Sequence, residues 1–274
     1  MNLYKKHNYK NVTEEDWLEY EKIRESEYIF PTSTGIKGKL GKNKFRNYPK
    51  SLRHYNSLFP NNYLDISELQ KEIEIYQTIE YFEKLLNSSP NEQHILNFIN
   101  KNENYFIIAS IFKHYNFGHQ GAYLFKEFPL NTQYRVDYLL VGKGSGGYEF
   151  IFIELEHPSK NPFKNNGTEL SQYYQNGINQ VKSWERFLNQ QFSSLKPQFN
   201  EAKKNNEPLP ADFINNDGTR RHYVVISGRR EHYEQNSDYS YAIRRYEEKS
   251  SQIKLLHYDN LVDLSKELIG KNTY

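Results

Sequence analysis

The sequence predicts an α/β or α+β fold in which helices flank a mixed central sheet. Two apolar runs, RVDYLLVGK and YEFIFIELE, surround the glycine-rich turn GKGSGG and predict a β-hairpin. Segments with helical spacing of apolar residues precede this hairpin, and helices alternate with strands after it. Because this alternation contains no internal repeat, we expect one layered domain with an N-terminal extension.

Composition limits the class of protein but does not identify a binding partner. The chain has 274 residues, with 36 lysine and arginine against 34 aspartate and glutamate residues, and a net charge of +2. This balance neither requires nor excludes nucleic acid, because a polyanion-binding protein can gather its basic residues locally. Cysteine is absent, the N-terminus lacks a signal-peptide pattern, and no apolar run approaches the ~20 residues of a membrane span. We therefore expect a cytoplasmic protein with no membrane partner.

Residues 1–88 are predicted to form a helical and loop-like extension, which could be regulatory. The pattern TEEDWLEYEKIRESEYIF predicts a helix that Thr13 caps. Glycines and prolines mark residues 31–63 as loop-like, and the basic stretch GIKGKLGKNKFRNYPKSLRHY predicts either a solvated loop or a phosphate contact. A helix is expected from Asp65 to Asn87, before the breaker SSP. Its apolar positions are Leu69, Ile73, Tyr76, Ile79, Tyr81, Phe82 and Leu85.

Residues 89–274 are predicted to form the main domain. A helix begins at Pro90 or Asn91 with Glu92 near its N-terminus. Residues 105–115 fit either a helix or a strand, and a strand over 121–130 leads into the hairpin. The later elements are a long helix over 168–191, a buried strand over 222–230, a helix over 241–250, a short strand over 253–259 and a closing helix over 260–269.

Three carboxylates fall within the hairpin. Glu154 and Glu156 are two residues apart on one strand, so their side chains share a face. If the hairpin turns near Ser145, Asp137 lies opposite Ile153 or Glu154, and a one-residue change of register decides which face it takes. In the favourable register all three carboxylates converge. Such a group requires either a shared proton or a cation.

Magnesium suits this predicted group, because it binds one or two carboxylates together with water and substrate oxygens. An ordinary strand end, where both glutamates meet solvent or pair with basic residues, explains the pattern equally well. Gln180 could orient a water or a phosphate, or be an exposed helix residue, and Lys160 could reach back toward the acids. Arg229 and Arg230 could hold phosphate or balance nearby acids. His157 is expected on the opposite face of the strand.

The ordered motifs resemble those of the PD-(D/E)xK nuclease superfamily, and most closely those of the Shedu antiphage-defence nucleases. RVDYLLVG, FIFIELEHPSK, GINQVKSW, YVVISGRR and LLHYDNLVDL follow one another over about residues 90–266. The resemblance implies a restriction-endonuclease-like αβββαβ core in residues 89–274 and hydrolysis of DNA with Mg²⁺ or Mn²⁺. It also implies defence against phage and a homo-oligomer, specifically a tetramer. It provides no match for residues 1–88.

The resemblance assigns roles to individual residues. Asp137 matches the metal-binding acid of the second core strand, and Glu154 matches the acid of the (D/E)xK step. Glu92 matches an acid that some of these nucleases add from their first helix. Gln180 matches a helix glutamine found in several branches.

Glu156 departs from the family pattern, because it stands where a lysine is expected. We expect it to act as a further metal ligand or as a base, with Lys160 or Lys182 supplying the missing cation. A second hypothesis is a catalytically degenerate nuclease-fold module that binds DNA ends or a phage protein. A third is a glycoside hydrolase with a carboxylate pair, for which two glutamates at i and i+2 are a poor match.

Overall fold

A five-stranded mixed sheet flanked by helices forms the centre of the molecule, as the sequence predicts. The computed structural model describes residues 2–4, 7–27, 44–164, 169–235 and 237–274. The strands are β1 (Gly121–Pro129), β2 (Arg135–Gly144), β3 (Gly147–Leu155), β4 (Phe163–Lys164), β5 (Glu169–Leu170), β6 (Arg221–Ile226) and β7 (Ile253–Leu256). The central sheet has the order β1-β2-β3-β6-β7. Strands β1 to β3 are antiparallel, whereas β6 and β7 continue the sheet in parallel.

Helices cover both faces of this sheet. They are α1 (Glu14–Glu25), α2 (Lys50–Tyr55), α3 (Glu72–Asn87), α4 (Glu92–Lys101), α5 (Phe106–Ala109), α6 (Gln172–Gln191), α7 (Lys196–Ala202), α8 (Arg230–Glu234), α9 (Ser237–Ser251) and α10 (Tyr258–Leu268). Helices α3, α4 and α10 share a core with one face, and α6 and α7 share a core with the other. Residues 105–115 were predicted as either helix or strand, and the structure shows that they are helical. Within the described ranges no helix has the length and apolarity of a membrane span.

The alternation of side chains along β2 and β3 explains why both faces are apolar. Leu140 and Ile151 pack in the core of the α3 face, whereas Val141 and Phe152 pack in the core of the α6 face. All four are fully buried. A strand buried on both sides reads as a continuous apolar run, which is how YLLV and FIFI appear in the sequence.

The hairpin turns where the sequence predicts. Gly144 pairs with Gly147, which leaves Ser145 and Gly146 as the two-residue turn. Gly147 has φ +106°, a conformation that residues with a Cβ rarely adopt. This turn fixes the register of the whole β2–β3 ladder.

The segment before α3 packs against the same sheet. Helix α1 begins after Thr13, whose side chain accepts a hydrogen bond from the Asp16 N–H, so the predicted cap is confirmed. Leu64 donates its N–H to the Ala122 carbonyl at 2.9 Å, beside β1. Of the region predicted as loop, residues 31–43 lie outside the described ranges, as do residues 28–30 at the end of the first predicted helix. Residues 50–55 form α2 and not a loop, because Leu52 is buried there.

The apolar positions predicted for α3 are partly wrong. A 3₁₀ turn over Ile66–Gln70 precedes the helix, which shifts its phase relative to one continuous helix. The residues that pack inward are Ile75, Ile79, Phe82 and Leu86, whereas Ile73, Tyr76 and Tyr81 are exposed.

Candidate active site

The end of the hairpin opposite its turn brings Asp137 beside Glu154. The last cross-strand pair of β2 and β3 is Tyr138 with Ile153, so the same register places Asp137 opposite Glu154. The next N–H along β3, that of Leu155, donates to Asp137 Oδ2 at 2.8 Å. The carboxyl groups of Asp137 and Glu154 are close enough for each to shift the pKa of the other. Of the two registers that the sequence allowed, the one that joins these acids is therefore the one formed.

A break in the β1–β2 ladder determines where Asp137 points. The two strands pair on both sides of Glu127 and Asp137, but these two residues do not pair with each other. Glu127 has φ +48°, which is uncommon for a residue with a side chain. Val136 and Tyr138 consequently pack in opposite cores, although strict alternation would place them on one face. The register is the same on both sides of this break, so no residue is inserted; the break changes the faces that the side chains take, and Asp137 Oδ2 accepts the Leu155 N–H.

Glu156 follows β3 and packs against a glycine of α6. Its N–H donates to the Ile226 carbonyl at 2.8 Å, which continues the parallel pairing with β6. A Cβ added at Gly177 would lie 2.7 Å from both Cγ and Oε1 of Glu156. Glycine inside a helix is otherwise unfavourable by roughly 0.5–1 kcal/mol relative to alanine. Gly177 therefore leaves the space that the Glu156 carboxylate occupies.

Glu92 joins the group from the N-terminus of α4. Asn91 caps this helix, and the Ser159 hydroxyl donates to the Pro90 carbonyl at 2.7 Å. This contact ties the loop after β3 to the start of α4. Glu92 is half-buried, and its charge raises the pKa of all three hairpin acids.

Burial and mutual repulsion raise the pKa values of these acids. Burial raises the pKa of Glu154 from 4.5 to about 10, and the charges of Asp137 and Glu156 add to it. Burial also raises the pKa of Asp137 from 3.8 to about 7, although the Leu155 N–H opposes this shift. The pKa of Glu156 rises from 4.5 to about 7, and that of Glu92 rises through burial. No lysine or arginine of the described chain contributes to these four shifts.

The lysines considered for the missing cation have other partners. Lys160 holds its ammonium 3.7 Å from the ring centroid of Tyr173, an exposed residue one turn before Gly177 on α6. Lys182 Nζ lies 3.4 Å from a carboxylate oxygen of Glu247 on α9. Lys160 thus lies near the acids along the chain without neutralising them in this conformation.

The paired arginines after β6 balance acids of α10. Arg229 contacts Asp259 at 2.8 Å, and Arg230 pairs with Asp263. The first pair is half-buried and has several hydrogen bonds, whereas the second is exposed. The sequence allowed these arginines either to hold phosphate or to balance nearby acids, and their contacts in the structure are with acids.

Gln180 and His157 border the group without joining it. Gln180 is exposed, whereas Trp184 one turn later is fully buried, so Gln180 lies at the solvent edge of α6. His157 Nδ1 accepts the Ser159 N–H at 3.1 Å, and its carbonyl accepts the Gly228 N–H at 3.2 Å. His157 therefore shapes the loop after β3.

The donor set fits a hard divalent cation. All the groups are carboxylate oxygens, and Glu154 Oε2 is buried without a hydrogen-bond partner. Across the described residues, however, no three His, Asp or Glu side chains form a group ready to hold a metal ion. Asp137 and Glu154 are thus the buried centre of the candidate site, and Glu92 and Glu156 shift their pKa values from around it.

Sequence reasoning missed three residues of this region. Gly177 could have been noticed as a glycine inside an amphipathic helix, which indicates a close approach. Tyr173, one turn earlier, carries no sequence pattern that predicts its contact with Lys160. Tyr258 donates its hydroxyl to the Glu156 carbonyl at 2.7 Å, and only the packing of α10 reveals it.

Comparison with known proteins agrees with this arrangement. The family model described as Shedu protein SduA, C-terminal, matches residues 89–262. No curated protein matches the chain. The match covers more than half of the chain and includes α4, the hairpin, α6 and β6. The chain therefore belongs to the Shedu family, which implies a role in antiphage defence.

Proposed function

We propose that this protein is a metal-dependent DNA endonuclease of antiphage defence, with a PD-(D/E)xK core. The observation that carries the proposal is the uncompensated group of buried acids at the end of the hairpin. Asp137 and Glu154 lie opposite each other and shift each other's pKa, and Glu154 Oε2 has no hydrogen-bond partner. Burying acids together without a cation is unfavourable, so a site that does so is suited to binding one.

Each acid has a separate task in the proposed reaction. Asp137 and Glu154 hold Mg²⁺ or Mn²⁺, and Glu92 and Glu156 lie where further ligands are needed. The bound ion would supply an activated water and stabilise the leaving oxygen of the phosphodiester. Metal binding requires ionised carboxylates, so loading releases the protons that the raised pKa values retain. Glu156, with a pKa near 7, is matched to accept the proton of the attacking water.

The basic and amide residues have supporting tasks. Lys160 follows β3 in the chain, and Gln180 lies at the exposed edge of α6. In this proposal Lys160 neutralises a phosphate and Gln180 orients a water or a phosphate. A homo-oligomer, specifically a tetramer, acting in the cytoplasm is part of the same proposal, and sedimentation tests the oligomeric state.

A non-catalytic DNA-binding module is the second candidate. It is favoured by Glu156 at the expected lysine position and by the engagement of Lys160 and Lys182 elsewhere. A glycoside hydrolase is disfavoured, because its two carboxyl groups flank the scissile bond, whereas Glu154 and Glu156 stand two residues apart along one segment.

Nicking of supercoiled plasmid tests the proposal. We expect cleavage in Mg²⁺ or Mn²⁺ and none in EDTA, with a loss of about 100-fold or more in Asp137→Asn. Asp238→Asn, at an exposed position on α9, is the matched control and should cleave like the wild type. Equal activity of the wild type and Asp137→Asn would refute the proposal. Binding of DNA without cleavage in either metal would instead establish the non-catalytic module.

A further inference from the structure

A groove lies at the opposite end of the sheet from the acids. Two cavities of about 370 and 260 Å³ adjoin there, and both are lined by Asn56, Ser57, Leu58 and Tyr148. Tyr148 begins β3, six residues before Glu154, which is about 20 Å along a strand. The groove is therefore separate from the candidate active site, and its size approaches that of pockets for small molecules, about 300 Å³ or more.

Two lysines give this groove its charge. Lys204 Nζ lies 4.2 Å from the ring centroid of Tyr55, and Lys143 Nζ lies 5.6 Å from that of Tyr148. Both lysines are half-buried, and neither forms an ion pair with an Asp or Glu in the part of the chain that the structure describes. Glu207, which is exposed, is the one acid among the described lining residues.

The walls hold these lysines in place. The Lys204 N–H donates to the Leu58 carbonyl at 2.8 Å, and the Leu58 N–H donates to the Tyr123 hydroxyl at 3.2 Å. Tyr123 and Tyr148 are almost fully buried, with 6.5 Å between their ring centroids. The groove thus combines fixed aromatic walls with two cations that lack an anionic partner.

One other lysine over a tyrosine ring has an acidic partner. Lys50 also lies over a tyrosine ring, 5.3 Å from the centroid of Tyr4, in the wall of a separate cavity. Its ammonium is paired with Glu68 at 2.9 Å. Lys143 and Lys204 have the ring without the acid, which leaves their charge for a ligand.

We propose that this groove binds a free mononucleotide. The phosphate lies with Lys143 and Lys204, and the base lies against the tyrosine-lined wall. Charge-assisted contacts to phosphate and contact of a flat ring with aromatic side chains are the two interactions that the walls offer. This inference does not depend on nuclease activity.

Calorimetry and the fluorescence of Trp17 test it on the full chain. Trp17 packs edge-on against Tyr55 at 5.6 Å between centroids, whereas Trp184, the other tryptophan, is fully buried. AMP should bind saturably and change the emission, and Trp17→Phe should lose the change while retaining the calorimetric heat. Lys143→Gln and Lys204→Gln should each weaken binding about tenfold, and Lys50→Gln should not.

Fragments of the nucleotide separate the two halves of the proposal. AMP should bind at least about tenfold more tightly than adenosine or inorganic phosphate alone. Equal binding of adenosine would remove the role of the lysines, and equal binding of phosphate would remove that of the tyrosines. Absence of saturable AMP binding would overturn the inference. So would tighter displacement by a short oligodeoxynucleotide, which would reassign the groove to nucleic acid.

Discussion

Asp65 and Glu154 are both nearly inaccessible to solvent, with 1% and 7% of their surface exposed, but their surroundings differ in charge. Asp65 Oδ2 accepts from Arg53 at 2.8 and 2.9 Å, and its Oδ1 accepts the Ser67 N–H at 3.0 Å. The charged groups that shift the pKa of Glu154 most are other acids, and one of its oxygens has no partner. A buried carboxylate that serves the fold is neutralised by the chain itself. The compensation for Glu154 must come from outside, as a proton or a metal ion.

The largest effect on stability is expected at Asp65, the buried acid that is paired with Arg53. Arg53→Met leaves Asp65 buried without its cation, and we expect the free energy of unfolding to fall by about 3–5 kcal/mol. Urea unfolding measures this change. The control is Arg230→Met, whose partner Asp263 is exposed, and it should cost about 1 kcal/mol or less. A small effect at Arg53 would show that Asp65 does not need its ion pair, and the comparison would fail.

The next largest effect is expected at Gly177, which leaves the space that the Glu156 carboxylate occupies. Gly177→Ala should stabilise helix α6 by roughly 0.5–1 kcal/mol, but its Cβ would meet Glu156 at 2.7 Å. We expect displacement of this carboxylate to lower plasmid nicking about tenfold, although the helix propensity improves. Gly146→Ala is the control, because a Cβ there meets nothing within 4 Å. Unchanged nicking by Gly177→Ala would exclude Glu156 from the reaction.

The pH dependence of stability should report the burial of Glu154. The pKa of Glu154 is raised to about 10 by burial, so the folded state holds this proton more tightly than the unfolded state. Its contribution is complete below about pH 4 and is lost as the pH rises toward 10. Glu154→Gln cannot ionise, and it should be more stable than the wild type at pH 8, by up to about 1.4 kcal/mol for each pH unit above 4.5, and equal at pH 4.

Thermal unfolding between pH 4 and pH 9 checks this sign. Mg²⁺ should raise the melting temperature of the wild type at pH 8 and leave Glu154→Gln unchanged, because the ion replaces the proton. Glu234→Gln, at an exposed position, should follow the wild type throughout. A variant that is less stable than the wild type at pH 8 would mean that the ionised carboxylate is already compensated.

The central sheet and the acidic residues of the site could be predicted from the sequence, because both depend on local patterns. Alternation, the glycine turn and the position of Ser145 defined the hairpin to within one residue of register. The break in pairing at Glu127 could not be predicted, since a positive φ at a glutamate results from tertiary packing and not from its own preference. Asp137 lies opposite this break, so the local geometry of the site lay beyond sequence reasoning.

Long-range contacts account for the other differences. The phase of α3 was misjudged because a 3₁₀ turn precedes it, and Ile73 became exposed. The partner of Lys160 was unknown because Tyr173 lies beyond a loop and on another element. The acids were identified through their pattern, whereas their compensation depends on which side chains fold next to them.

Lys160 provides the smallest and most discriminating test of whether the chain supplies part of that compensation. Its ammonium lies over Tyr173, outside the group of acids, so we expect it to contact the DNA backbone and not the reacting phosphate. Lys160→Ala should raise the KM for DNA about threefold and leave kcat unchanged. The slope of log KM against log salt concentration should fall by about 0.9, the value for one lost phosphate contact. Lys182→Ala, which removes a lysine paired with Glu247, should alter neither quantity. A large fall in kcat with an unchanged salt slope would instead make Lys160 the lysine that the (D/E)xK pattern requires, and the acids would then be compensated by the chain after all.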